Sequence, residues 1–99
     1  SGPPIRETLK KEFPEIDNDF MNDEFHRIGY PLYDTCIQNF PNGPEVFKKL
    51  KDDGFKCVLM TGSGSCVFAL TTDRHLAQSK YLKYDHKGYD VYLTKTLKN

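Results

Sequence analysis

Val58-Leu59-Met60-Thr61-Gly62-Ser63-Gly64-Ser65-Cys66-Val67-Phe68-Ala69-Leu70 decides how this 99-residue chain is read. Two apolar runs flank a short core of glycine and serine. Runs of this length and composition predict strands, and the core predicts the turn that joins them. Glycine adopts the positive φ that such turns need without a Cβ penalty. The turn holds more glycine and hydroxyl than a hairpin requires. Successive N–H groups in such a turn form a concavity for anions. Thr61, Gly62, Ser63, Gly64 and Ser65 are therefore the candidate phosphate or substrate loop. The competing reading is a tight turn with glycines for geometry alone, in which the Thr61 and Ser65 hydroxyls satisfy neighbouring backbone groups.

Outward from the hairpin, Pro44 opens a helix that runs to about Asp53, with Val46, Phe47 and Leu50 as its apolar stripe. Gly54 closes it at a position that favours positive φ. The first strand spans Lys56 to Met60, and four consecutive apolar residues predict cover on both of its faces. The second spans Cys66 to Thr71. Thr71 or Thr72 then caps a helix that reaches about Leu82, and Lys83 to Gly88 reads as polar loop. Tyr89, Val91 and Leu93 alternate with polar or half-polar neighbours, which predicts a half-buried strand. Lys95 to Asn99 reads as a frayed end.

Upstream, Ile5, Leu9 and Phe13 are spaced for a short amphipathic helix that Pro14 stops. Asn22 is an N-cap candidate, with Asp23 and Glu24 favoured by the helix dipole in the first turn. That helix runs toward Gly29 or Tyr30, and Pro31 interrupts it. Tyr33, Ile37 and Phe40 repeat at helical spacing, so a further helix is expected from about Leu32 to Asn39. Helices followed by β-β-α-β predict an α+β fold, an antiparallel sheet covered by helices. Residues 1–20 are read as a poorly determined N-terminal segment and residues 21–99 as one domain.

Composition narrows the function classes. Fourteen basic and fourteen acidic residues cancel, which leaves no basic footprint for nucleic acid. No apolar run reaches the roughly 18 residues of a membrane helix. A 13% aromatic content argues for a packed core rather than disorder. Cys36, Cys57 and Cys66 are an odd number without metal-ligand spacing. They read as free thiols, and a reducing cytoplasmic setting is expected. His26, His75 and His86 fit no metal motif, and no metal site is expected. Tyr81, Tyr84, Tyr89 and Tyr92 read as half-exposed tyrosines of a small sheet.

Met60-Thr61-Gly62-Ser63-Gly64-Ser65-Cys66-Val67-Phe68 resembles the C-terminal glycine-rich motif of the GHMP kinases, and most of all that of their isoprenoid-pathway members. Met21-Asn22-Asp23-Glu24-Phe25 is similar to the Asn-Asp-Leu-Glu helix start of the same proteins, although Glu24-Phe25 departs from the Leu-Glu order. Gly43 to Gly54 resembles the helix before the motif strand. The likeness runs over about residues 20–71. It implies a ferredoxin-like C-terminal domain of four strands. Only three strands are read from the sequence, so the fourth is expected in residues 1–20 or outside the chain.

By this resemblance the Gly-Ser loop borders the substrate and steadies the nucleotide loop of a second domain, and Asn22 and Asp23 line the cleft. Capping is the competing role for Asn22 and Asp23. The family's longer loop, of the type Pro-x-Gly-Ala-Gly-Leu-Gly-Gly, has no counterpart in these residues. The resemblance therefore places no catalytic residue in this chain. The expected partners are an N-terminal kinase domain and a small-molecule substrate. ATP and Mg²⁺ are expected as cofactors of the parent protein, and the chain alone is expected to be inactive. The alternatives are a free-standing α+β module that binds a metabolite or regulates, and a homoserine or mevalonate kinase.

Overall fold

A computed structural model of the chain describes Glu7, residues 11–14 and residues 31–96. Its elements follow as β1 (Leu32–Gln38), α1 (Gly43–Asp52), β2 (Cys57–Met60), β3 (Cys66–Thr71), α2 (Arg74–His86) and β4 (Asp90–Thr96). The strands form one antiparallel sheet in the order β2-β3-β1-β4. This interleaved β-α-β-β-α-β order is the split βαβ, ferredoxin-like arrangement. The chain is thus an α+β domain, as its sequence implies.

Both helices are delimited by local chemistry. The Asn42 side chain accepts a hydrogen bond from the Glu45 N–H at 3.1 Å and caps α1. At the other end Gly54 takes φ +102. The Gly54 N–H then bonds the Lys51 carbonyl, and the Phe55 N–H reaches the Leu50 carbonyl. That is a Schellman ending, sealed by apolar contact between its first and last residues. The second helix, α2, ends the same way. The Gly88 N–H bonds the Asp85 carbonyl, the Tyr89 N–H bonds the Tyr84 carbonyl, and the two tyrosine rings stack at 5.8 Å.

Several boundaries differ from the sequence expectation; β2 begins at Cys57 rather than Lys56, and β4 at Asp90 rather than Tyr89. The N-cap of α2 is Asp73, whose carboxylate accepts from the Leu76 N–H. Thr71 instead accepts from the Asp73 N–H and shapes the approach. The helix continues past Leu82 to His86, so most of the expected Lys83–Gly88 loop is helical. The polar residues there lie on its wet side, while Tyr84 drops into the core with no exposed surface. Tyr84 is therefore not a half-exposed tyrosine. Strand β4 extends to Thr96, beyond the fraying expected from Lys95.

The largest correction concerns Leu32–Asn39. It contains no helix: Leu32–Gln38 is β1, the interior strand bonded to β3 on one side and β4 on the other. This segment, rather than residues 1–20 or a stretch outside the chain, supplies the fourth strand of the sheet. Its faces look in opposite directions. Ile37 joins Val67, Ala69, Val58 and Val91 beneath Val46 and Leu50 of α1 and Tyr84 of α2. On the other face Leu32 and Cys36 join Cys66, Phe68 and Leu70. Both faces are covered, so β1 buries Asp34 and Thr35 along with its apolar residues and shows no alternation of polar and apolar positions. Its Tyr33 and Ile37 then match a helical spacing by coincidence.

Strand β2 lies at the sheet edge, so Cys57, Leu59 and Met60 are only half-buried although both faces are packed. At the N-terminal side Glu7, Lys11 and Glu12 are helical, Phe13 is not, and Pro14 is helical again, so the helix breaks at the residue before the proline, as expected. Phe13 meets the Phe68 ring edge-on at 6.3 Å. The helix expected from Asn22 to Tyr30 lies outside the described residues. Among those described, no helix is long and apolar enough to cross a membrane.

Candidate functional site

The β2–β3 turn is built from its own hydrogen bonds. The Thr61 N–H donates to the Cys66 carbonyl at 3.0 Å. The Cys66 N–H donates to Thr61 Oγ1 at 3.3 Å, and that hydroxyl reaches back to the Cys66 carbonyl at 3.4 Å. Buried Thr61 thus clamps both ends of the loop. Inside the clamp the Gly64 N–H donates to the Thr61 carbonyl at 2.8 Å, closing a β-turn around Gly62 and Ser63. Gly64 takes φ +74, the left-handed region that penalises a Cβ. The geometric reading therefore accounts for Thr61 and Gly64.

It does not account for the rest. Gly62 has no positive φ, and a Cβ on it would meet nothing within 4 Å. Gly62, Ser63 and Ser65 are exposed. Among the described residues no backbone carbonyl accepts their N–H groups. Ser63 Oγ stands 2.8 Å from Ser65 Oγ and 3.4 Å from Thr61 Oγ1, a short run of hydroxyls along the loop. No residue from Thr61 to Ser65 carries a carboxylate. Open N–H and hydroxyl donors with no local negative charge are the donor set an anion requires.

A second element, the start of α1, joins the turn. Gly43, the first residue of α1, packs beneath it. A Cβ there would come to 3.1 Å from Met60 Sδ and from Phe40 Cε1, and to 3.4 Å from the Gly64 carbonyl. The positive end of the α1 dipole therefore abuts the loop. Glycine directly behind the Asn42 cap is the sequence signal for this close approach, since helix interiors disfavour glycine.

Beside that helix start is a cavity of about 60 Å³, lined among others by Asn42, Lys49, Tyr84, Lys87 and Tyr89. The Tyr84 hydroxyl is buried and, among the described residues, has no hydrogen-bond partner. Burial, and then the charge of Asp53, push its pKa above the ordinary tyrosine value. Lys49 pairs with Glu45 at 2.8 Å. Lys83 and Lys87 stand 5.5 Å and 5.7 Å from the centroid of the Tyr84 ring.

The candidate residues Thr61 to Ser65 thus come together on one turn. Asn22 and Asp23 lie outside the described residues. His75 and His86 are exposed on α2. Among the described residues no group of three His, Cys, Asp or Glu side chains converges to hold a metal ion.

Comparison with known proteins agrees with the fold. A family model described as GHMP kinases C terminal matches residues 21–90. The chain is 32% identical over 69 residues to a 4-diphosphocytidyl-2-C-methyl-D-erythritol kinase of Pelotomaculum thermopropionicum (strain DSM 13744 / JCM 10971 / SI). That match covers 70% of this chain and 24% of the relative, so the chain spans about a quarter of the relative's length. No solved structure matches the chain.

Proposed function

This chain belongs to the GHMP kinases as a C-terminal domain, and from that premise we propose that its parent phosphorylates the 2-hydroxyl of 4-diphosphocytidyl-2-C-methyl-D-erythritol with ATP, in isoprenoid precursor biosynthesis. The observation that carries the reading is the Gly-Ser turn with its open N–H groups. Its donors exceed what the hairpin consumes, and they belong to exposed residues of the turn against which α1 begins. The relative's name supplies the acceptor.

In this reading the domain forms one wall of the cleft. Gly62, Ser63 and Ser65 steady the nucleotide loop of an N-terminal kinase domain and border the substrate phosphate. That partner domain supplies the general base, the lysine and the triphosphate loop. The residues described here offer no ligand set for Mg²⁺, so no step through the metal is assigned to them. Phosphoryl transfer depends on positioning and charge stabilisation, which a preorganised donor turn contributes. The domain alone does not turn over.

The test is ADP release by the full-length protein with three acceptors: 4-diphosphocytidyl-2-C-methyl-D-erythritol, homoserine and mevalonate. Turnover is expected with the first only. Gly62→Val is expected to fold and to lower kcat/KM about tenfold or more, ~1.4 kcal/mol of transition-state stabilisation. Equal use of another acceptor overturns the substrate. Full activity in Gly62→Val overturns the role of the turn.

A further inference from the structure

The register of β1 on β3 sets Cys36 opposite Phe68 and Cys66 opposite Gln38. The two cysteines are therefore diagonal neighbours on one face of the sheet. Diagonal neighbours are ordinarily about 7–8 Å apart along the backbone, yet these side chains turn toward each other. Their sulfurs stand 2.7 Å apart, about 0.7 Å beyond a covalent S–S bond. Both residues are buried, at 2% and 3% exposure. The third thiol, Cys57, is opposite Leu70. That is four residues along β3 from Cys66, or about 13 Å at the rise of a strand.

We propose that Cys36 and Cys66 are a dithiol modification site, which a peroxide converts to a disulfide at the root of the Gly-Ser turn. The site stands independently of the kinase reading. Cys66 is the attacking sulfur. The hydrogen bond from Cys36 lowers its pKa, helped by the Gln38 side chain and the Ile37 backbone, against burial and the charge of Glu12. The same contact, with burial, raises Cys36. Of the two, Cys66 is thus the sulfur that gives up its proton first, with the Cys36 thiol beside it.

The Cys66 thiolate attacks one peroxide oxygen. An S–O bond forms, the O–O bond breaks, and the departing hydroxide takes up the proton Cys66 had released, giving one water. The Cys36 sulfur then displaces the hydroxyl from Cys66, and its own proton leaves with that hydroxyl as a second water. Two thiols are oxidised by two electrons, and the peroxide is reduced to two waters. Access is short, because Cys66 is the first residue of β3 and follows exposed Ser65. Local opening of the turn admits a molecule of that size. Cys66 also clamps Thr61 through its N–H and its carbonyl. The new bond therefore ties the closing residue of the turn to the interior strand β1.

The experiment treats the full-length protein with hydrogen peroxide at low molar excess and follows its mass and its non-reduced tryptic peptides. The expected result is loss of two hydrogens, reversed by dithiothreitol, with the Cys36 peptide linked to the peptide that holds Cys66. Trypsin leaves Cys57 and Cys66 on one peptide, so Cys57→Ser is run in parallel and is expected to keep the link. In Cys36→Ser a dimedone-reactive sulfenic acid is expected on Cys66 instead. Loss of the link in Cys57→Ser, or a wild-type protein whose three thiols stay equally alkylatable after peroxide, overturns the proposal. The wild-type measurement decides even where a serine variant fails to fold.

Discussion

Replacing Gly64 by alanine, with Gly62→Ala as its internal control, isolates the one backbone position that the turn demands. Both substitutions add a methyl group, and at neither position would that methyl meet an atom within 4 Å. Packing is therefore the same for both. Both also stiffen the unfolded chain alike, which favours the folded state by about 0.4–1 kcal/mol where the native backbone is compatible. Only Gly64 sits at positive φ, +74, where a residue with a Cβ loses about 1–2 kcal/mol. The two alanine variants should thus differ by that same ~1–2 kcal/mol, Gly64→Ala being the less stable. In a domain of this size each kcal/mol moves Tm by roughly 4–8 °C. Gly64→Asn should recover much of the loss, since asparagine visits the left-handed region readily. The assay is equilibrium urea unfolding by far-UV circular dichroism, with unchanged slopes as the check that only native stability has moved. Equal midpoints for Gly62→Ala and Gly64→Ala would refute the assignment of geometry to one glycine and ligand access to the other.

Tyr84→Phe deletes a buried hydroxyl that has no partner among the described residues. Because an unmet buried polar group costs free energy, the variant should match the wild type or exceed it by up to about 1 kcal/mol in urea; a clear loss of stability would show that the hydroxyl is satisfied. The Lys49 side chain, by hydrogen bond and charge, holds the Glu45 carboxyl below its ordinary value. With the folded pKa below the unfolded one, the pair's contribution is present above the unfolded value and fades as pH falls through the folded value. A carbon-13 NMR titration should place the Glu45 midpoint below that of a free glutamate, and Lys49→Met should return it; an unchanged midpoint in Lys49→Met contradicts the pairing.

Much of this fold is legible because its signals are local. The helix α1 announces itself through Asn42, Pro44 and Gly54, whose capping and conformational preferences act within one turn of chain. The β2–β3 hairpin does so through two apolar runs and a glycine-rich break. Where polarity misled, as at Lys83–Gly88, the deciding event was the burial of one residue, Tyr84, against elements far away in the chain. Gly62, Ser63 and Ser65 could be named as candidates from their types. That their N–H groups stay open while Gly64 and Thr61 are consumed by the turn needed the hydrogen bonds.

From its sequence alone the chain determined an α+β class, one hairpin with an anion-suited turn, the helix before it, and a GHMP kinase likeness carried on nine residues. These depend on turn chemistry, capping and short apolar patterns, which act between near neighbours. Tertiary structure alone decided that Leu32–Gln38 is an interior strand, that Gly43 lies beneath the turn, and that Cys36 meets Cys66 across thirty residues of chain. A strand buried on both faces carries no alternation to betray it. Its partners, and the contacts that follow from its register, exist only once the sheet has closed around it.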